Sequence, residues 1–118
     1  ITHQDHLMVH PLKGALFETC VVTELIKRYA NTPQADQIYF YRDHKGNEID
    51  LIIDHGPFIE CIEIKSAQTP RASFVKGFNQ FNPTISKVHT IIYKGRYYNR
   101  RDNAAYISWE NSFDYNPE

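Results

Sequence analysis

Two neighbouring stretches constrain what this chain can fold into: Asn47-Glu48-Ile49-Asp50-Leu51-Ile52-Ile53 and Glu60-Cys61-Ile62-Glu63-Ile64-Lys65. Both are short, alternating and rich in β-branched residues, the pattern of half-buried strands. Asp54-His55-Gly56-Pro57 between them supplies the Gly and Pro of a tight turn, so the pair reads as a β-hairpin. Alternation puts Glu63 and Lys65 on one face and Ile62 and Ile64 on the other. Asp50 lies 13 residues before Glu63, a separation that lets the turn fold it back beside that carboxylate. Two carboxylates and a lysine then converge at one end of a sheet.

The rest of the chain is consistent with one domain around that hairpin. At 118 residues it can bury a single core, and 42% hydrophobic with 23% charged residues is ordinary for a soluble globular protein. Nothing approaches the ~20 consecutive apolar residues of a membrane span, and no signal peptide opens it. It begins at Ile1 rather than Met, as a fragment of something longer would. Cys20 and Cys61 sit in apolar runs without metal-ligand spacing and read as buried free thiols, which suits a reducing cytoplasm. The net charge of −1 hides a segregation. Residues 1–64 carry five Lys/Arg and ten Asp/Glu, residues 65–101 eight Lys/Arg and no acid, and residues 102–118 four acids and no base. An acidic centre followed by an acid-free basic run suits a cation-dependent enzyme acting on a polyanion; a basic solvated face is the plainer alternative.

Taken in order, residues 1–12 read as a linker or the remnant of an upstream domain. Their His3, His6 and His10 also fit one helical face as a metal site, though such runs are more often linker. Ala15 to Tyr29 is expected to be an amphipathic helix closed by Asn31-Thr32-Pro33, with Glu24 solvated and Glu18 bordering the buried face. Glu18 is also a favourable acid for a first helical turn. Gln37 to Arg42 is an aromatic strand, then come the hairpin, a second helix over Ala67 to Asn82, and a buried strand over Val88 to Tyr93. Ala104 to Trp109 is expected to be a last edge strand, with the domain over residues 13–109 and a flexible tail over 110–118. The strand after the second helix should pair parallel with its neighbour. The fold class is therefore α/β, helix-strand-strand-strand-helix-strand with a mixed central sheet.

A carboxylate pair at strand ends is a hard-oxygen site for Mg²⁺ or Mn²⁺. On that reading Asp50 and Glu63 hold the metal with the Ile64 carbonyl, Lys65 orients or activates the water attacking a phosphodiester, and Glu18 completes the shell. Arg42, Arg71, Lys76, Lys87, Arg96, Arg100 and Arg101 would contact phosphates, and Tyr97 or Tyr98 would stack on a base or pack at an edge. Gln80 is a further candidate beside the site, although helical Gln more often faces solvent. His44 and His55 fall in turns, where histidines are usually solvated. Glu and Lys two apart on a strand are also common on a plain polar face.

Asp50, the turn and Glu63-Ile64-Lys65 resemble the PD-(D/E)XK nuclease signature, with Ile49 where Pro is typical. The element order is that of the restriction-endonuclease-like core. The Glu18 helix is similar to the one that carries an extra acid in the Holliday-junction-resolvase-like branch. Gly14-Ala15-Leu16-Phe17-Glu18, Val22-Thr23-Glu24-Leu25, Tyr41-Arg42, Gly46-Asn47-Glu48-Ile49-Asp50 and Ile62-Glu63-Ile64-Lys65-Ser66 together look like the C-terminal domain of a family of prokaryotic AAA+-type ATPases. The resemblance spans about Lys13 to Tyr93. It implies a Mg²⁺-dependent deoxyribonuclease domain with nucleic acid, DNA first, as substrate and an ATPase domain in the same full-length chain. No phosphate-binding loop lies in these residues, so ATP binding would belong elsewhere. The alternative is an inactive nuclease fold serving as a DNA- or protein-interaction module that regulates the ATPase. The expected location is cytoplasmic, with no membrane partner and an oligomer compatible with the sequence.

Overall fold

Alternation and turn chemistry account for most of the sheet. The structure, a computed structural model, describes residues 3–115 and 117, and the side chains of 14–112, 115 and 117. Helix α1 (His3–Tyr29) precedes β1 (Ile38–Arg42), β2 (Glu48–Asp54), β3 (Phe58–Lys65), β4 (Ser86–Tyr93), β5 (Asn99–Arg101) and β6 (Ala104–Ser108). Short 3-10 helices cover Pro33–Gln37, Ala72–Gln80 and Trp109–Asp114. The strands form one mixed sheet in the order β1-β2-β3-β4-β6-β5. β1, β2 and β3 make an antiparallel meander, while β3, β4 and β6 run parallel and β5 returns antiparallel on the outer edge. The β2–β3 turn places Gly56 at φ 98°, a left-handed conformation that glycine adopts without a Cβ penalty.

Two apolar layers cover the sheet. On one face Val21 and Leu25 of α1 pack on Leu51, Ile53, Ile62, Ile64 and Ile92. On the other, Phe78 of the Ala72–Gln80 helix packs on Ile49, Ile52, Cys61, Ile91, Tyr93 and Tyr106. Strict alternation along β2 would place Ile49 with Leu51 and Ile53. The register slips instead: Tyr39 pairs with Ile52 and Tyr41 with Ile49, so Phe40 alone opposes both Asp50 and Leu51. Such a bulge re-aims side chains and is common beside functional sites. It turns Ile49 to the face opposite Leu51 and sits at Asp50.

Several expectations need correction. The first helix starts at His3 rather than Ala15, so residues 3–12, expected as a linker or the remnant of an upstream domain, are helical, and Pro11 lies inside the helix at the loss of one donor. The side chains of His3, His6 and His10 lie outside the described residues. Along α1 the buried stripe is Val21 and Leu25, one helical turn apart, which leaves Cys20 and Leu16 exposed; only Cys61 is a buried thiol. The second helix is a 3-10 segment of nine residues, Ala72–Gln80, between Pro70 and Pro83. Ala104–Ser108 is an interior strand buried throughout, between β4 and the edge strand β5. Asp102 and Asn103 join β5 to β6 with φ of 55° and 61°, residue types that tolerate that conformation in a two-residue hairpin turn. Trp109–Asp114 is helical rather than a tail, and its Ser112 carbonyl accepts a hydrogen bond from Arg28 at 3.2 Å. His55 is not solvated: it stacks on Phe58 with centroids 4.8 Å apart, and its Nε2 lies 3.0 Å from buried Glu60. Glu60 also accepts from the Thr90 hydroxyl at 2.9 Å.

The 3-10 helix meets β2 main chain to main chain at Gly77, where a Cβ would lie 2.8 Å from the Glu48 carbonyl oxygen. Backbone cannot yield there as a flexible side chain can. Gly77→Ala is expected to destabilise the domain by about 1–3 kcal/mol in urea unfolding; Gly46 has open space around it but sits at φ 90°, so Gly46→Asn should cost only the backbone strain, about 1 kcal/mol.

Candidate active site

The β2–β3 pairing runs from Asp54–Ile59 to Leu51–Ile62, and one step further Asp50 faces Glu63. There the side chains replace the ladder. The Ile64 N–H donates to Asp50 Oδ2 at 2.9 Å, and the Asp50 N–H donates to Glu63 Oε1 at 3.1 Å. These reciprocal bonds lock both carboxylates at the end of the sheet. Lys65 follows on the same side of β3 as Glu63, its Nζ 3.4 Å from Glu63 Oε2 and 5.6 Å from the Phe74 ring centroid. Asp50, Glu63, Lys65 and the Ile64 main chain are therefore one cluster.

Its electrostatics follow from burial of like charges. Glu63 is only 6% exposed. Desolvation, then the neighbouring Asp50 charge, pushes its carboxyl up to about 7, against the pull of Lys65 and of the Asp50 N–H. Desolvation also raises Asp50, although the Ile64 N–H and Lys65 favour its ionised form. Glu18, half-buried on α1, is raised by desolvation and by the Asp50 charge and lowered by Lys65, which places it within the field of the cluster. The helix reaches this point because Gly14 passes closely over the strand end: a Cβ there would lie 3.2 Å from Ser66 Oγ.

The predicted phosphate contacts are dispersed. Arg42, exposed at the end of β1, pairs with Glu48 at 2.7 Å and shares a groove with Asp50. Arg96 is exposed in the loop after β4, whose Tyr93 pairs with Lys65. Lys76 and Gln80 are exposed on the 3-10 helix, with the Gln80 carbonyl accepting from the Tyr41 hydroxyl at 2.9 Å. Arg71 precedes that helix, its carbonyl taken by the Tyr106 hydroxyl at 3.2 Å. Arg100 and Arg101 stand on β5, three strands from β3, and are not brought to the cluster. Lys87 is spent on structure, donating to the carbonyls of Phe78 and Phe81. Two residues escaped sequence reasoning: Phe40, opposite Asp50 at the bulge, and Lys94, which follows the Tyr93 that pairs with Lys65 and whose ammonium lies 4.7 Å from the Phe17 ring. Membership of the aromatic and acid-free runs was their only signal.

Among the described residues no group of three or more His, Cys, Asp or Glu side chains stands ready to hold a metal ion. Two carboxylates and a carbonyl nevertheless fit Mg²⁺, which takes one or two carboxylates and retains several waters. Also among the described residues, no helix is long and apolar enough to cross a membrane.

Carboxyls with raised pKa bind protons more tightly folded than unfolded, so the stability they supply is present at low pH and lost as pH rises. For Glu63 the window runs from its usual 4.5 to about 7. Thermal or urea unfolding of the metal-free chain should show stability falling across that window, on the order of 3 kcal/mol at most. Glu63→Gln should flatten the profile; an unchanged profile in that variant would place the titration elsewhere.

No curated protein matches the chain, and no solved structure does. Residues 13–111 match a family described as Domain of unknown function (DUF4143). That match covers most of the chain, through every strand of the sheet, and the protein belongs to the DUF4143 family.

Proposed function

We propose that this domain hydrolyses phosphodiester bonds of nucleic acid, DNA first, with Mg²⁺ or Mn²⁺ as cofactor. The observation that carries the reading is the Asp50–Glu63 pair, reciprocally bonded across β2 and β3 with Lys65 Nζ 3.4 Å from Glu63. The helix, three-strand meander, crossover and parallel strand support a restriction-endonuclease-like core, with a 3-10 segment in place of the second helix. Asp50, Glu63 and the Ile64 carbonyl would hold the cation, and Glu18 would orient its outer waters. A bound divalent cation supplies Lewis-acid polarisation of the phosphoryl oxygens and a more acidic water. Lys65 lies beside the carboxylates on a strand end, where it would orient the attacking water and offset the charge that develops on the phosphate. The raised carboxyls make the pair receptive to a cation, since charge from outside relieves the repulsion between them. The domain would act as the C-terminal part of a longer ATPase, in the cytoplasm.

A second reading has one observation in its favour: both carboxylates are already spent on main-chain N–H groups and on Lys65. In that case the fold is an interaction module for DNA or protein that regulates the ATPase. Plasmid cleavage in Mg²⁺ or Mn²⁺ separates the two. The nuclease reading predicts cutting by the wild type, loss in Asp50→Ala, and a rate lower by about 10²–10³ in Lys65→Ala. Cutting that survives Asp50→Ala would discard this site, and an inert but folded, cation-free wild type would leave the interaction module.

A further inference from the structure

We infer that the nucleic acid is unpaired where it crosses the site, and that Tyr97 is the platform on which one of its bases stacks. The inference deepens the nucleic-acid reading above and rests on it. Tyr93, the last residue of β4, pairs with Lys65, and the next N–H, that of Lys94, donates to the Ala67 carbonyl at 2.8 Å. The loop after β4 is thus tied to the strand end that bears Lys65. It then folds over Tyr93 so tightly that a Cβ on Gly95 would lie 2.2 Å from the Tyr93 ring. The Tyr93 hydroxyl donates to the Tyr97 carbonyl at 2.7 Å. The Tyr97 backbone is therefore held at its carbonyl while the residue is 78% exposed. An open groove of about 420 Å³ runs here, lined by Gln68, Tyr93, Lys94, Gly95, Arg96 and Tyr97. Lys94 and Arg96 are exposed, and no acid occurs anywhere from Lys65 to Arg101.

An exposed aromatic ring on a held backbone, with cations beside it, is the combination that binds single-stranded nucleic acid, the cations taking phosphates and the ring a base. The other flank of the carboxylates repeats half of it. Phe40 is 67% exposed and shares a groove of about 300 Å³ with Arg42, Glu48 and Asp50. Arg42 is neutralised there by Glu48, so this side offers an aromatic surface and little net positive charge. Phosphates are thus directed toward Lys94 and Arg96, while a ring waits at each end. From β1 to β4 is three strand spacings, about 14 Å, or about four nucleotides at the axial rise of stacked bases. A base can offer its face to a tyrosine only when it is free of its neighbours in a duplex.

Fluorescence anisotropy tests this with a labelled oligo-dT of roughly 12 nucleotides and a duplex of the same length, in EDTA so that nothing is cut. The single strand should bind at least about tenfold more tightly than the duplex. Tyr97→Ala should weaken it by about 5- to 100-fold and Tyr97→Phe should not; Arg96→Ala should weaken it and reduce its salt dependence. Duplex binding as tight as single-strand binding, no binding of either, or a folded Tyr97→Ala that binds like wild type would overturn the inference. The two levels fail separately. Single-strand binding through Tyr97 in a protein that cuts nothing in Mg²⁺ or Mn²⁺ supports the groove and removes the nuclease; Asp50-dependent cutting without strand preference keeps the nuclease and removes the groove.

Discussion

Two carboxylates held side by side at a sheet end, Glu63 buried and Asp50 half-buried, are the constraint on which the rest of this structure turns. Asp50 and Glu63 repel each other, and burial of Glu63 denies it the water that would screen its charge, while Asp50 keeps one side toward a groove. They persist because each accepts a main-chain N–H from the partner strand, Ile64 to Asp50 and Asp50 to Glu63, where the β2–β3 ladder has given way to side chains. A purely structural strand pair would continue its ladder with apolar residues. Two carboxylates set this close repel each other, and the divalent cation proposed above would relieve that repulsion.

The surrounding elements serve that arrangement. The slip of register opposite Phe40 lets β2 keep Ile49 against one layer and Leu51 against the other while Asp50 sits at the break. The contact of Gly77 with the Glu48 carbonyl sets the 3-10 helix directly on the strand just before it. Gly14 allows α1 close to Ser66 and so brings Glu18 into the field of Asp50. On the far side, the pairing of Lys65 with Tyr93 couples the cluster to the basic loop that ends in Tyr97. One sheet end thus joins an acidic centre, a lysine and an aromatic, cationic flank.

Much of this was legible because it depends on period and turn chemistry. The hairpin from Glu48 to Lys65, the parallel return of β4 and the facing of Asp50 with Glu63 follow from alternation and the Gly56-Pro57 turn. What was hidden depends on contacts between distant residues. Glu60 and Glu63 look alike in sequence, yet Glu60 on the other face is satisfied by His55 and Thr90, so the turn histidine is structural. Lys87 resembles its basic neighbours but closes the carbonyls of the 3-10 helix. Ala104–Ser108 alternates too weakly to tell an edge from an interior strand, and only the two left-handed residues Asp102 and Asn103, which fold β5 back outside it, decide the matter.

The most direct test of the central claim is calorimetric titration of Mg²⁺ at pH 6 and pH 8, repeated in buffers of different ionisation enthalpy. With Glu63 near 7, cation binding should be tighter at pH 8 and should release about one proton at pH 6 but almost none at pH 8. Glu63→Gln should abolish the difference. A folded wild-type chain that takes up no cation at either pH would contradict the account.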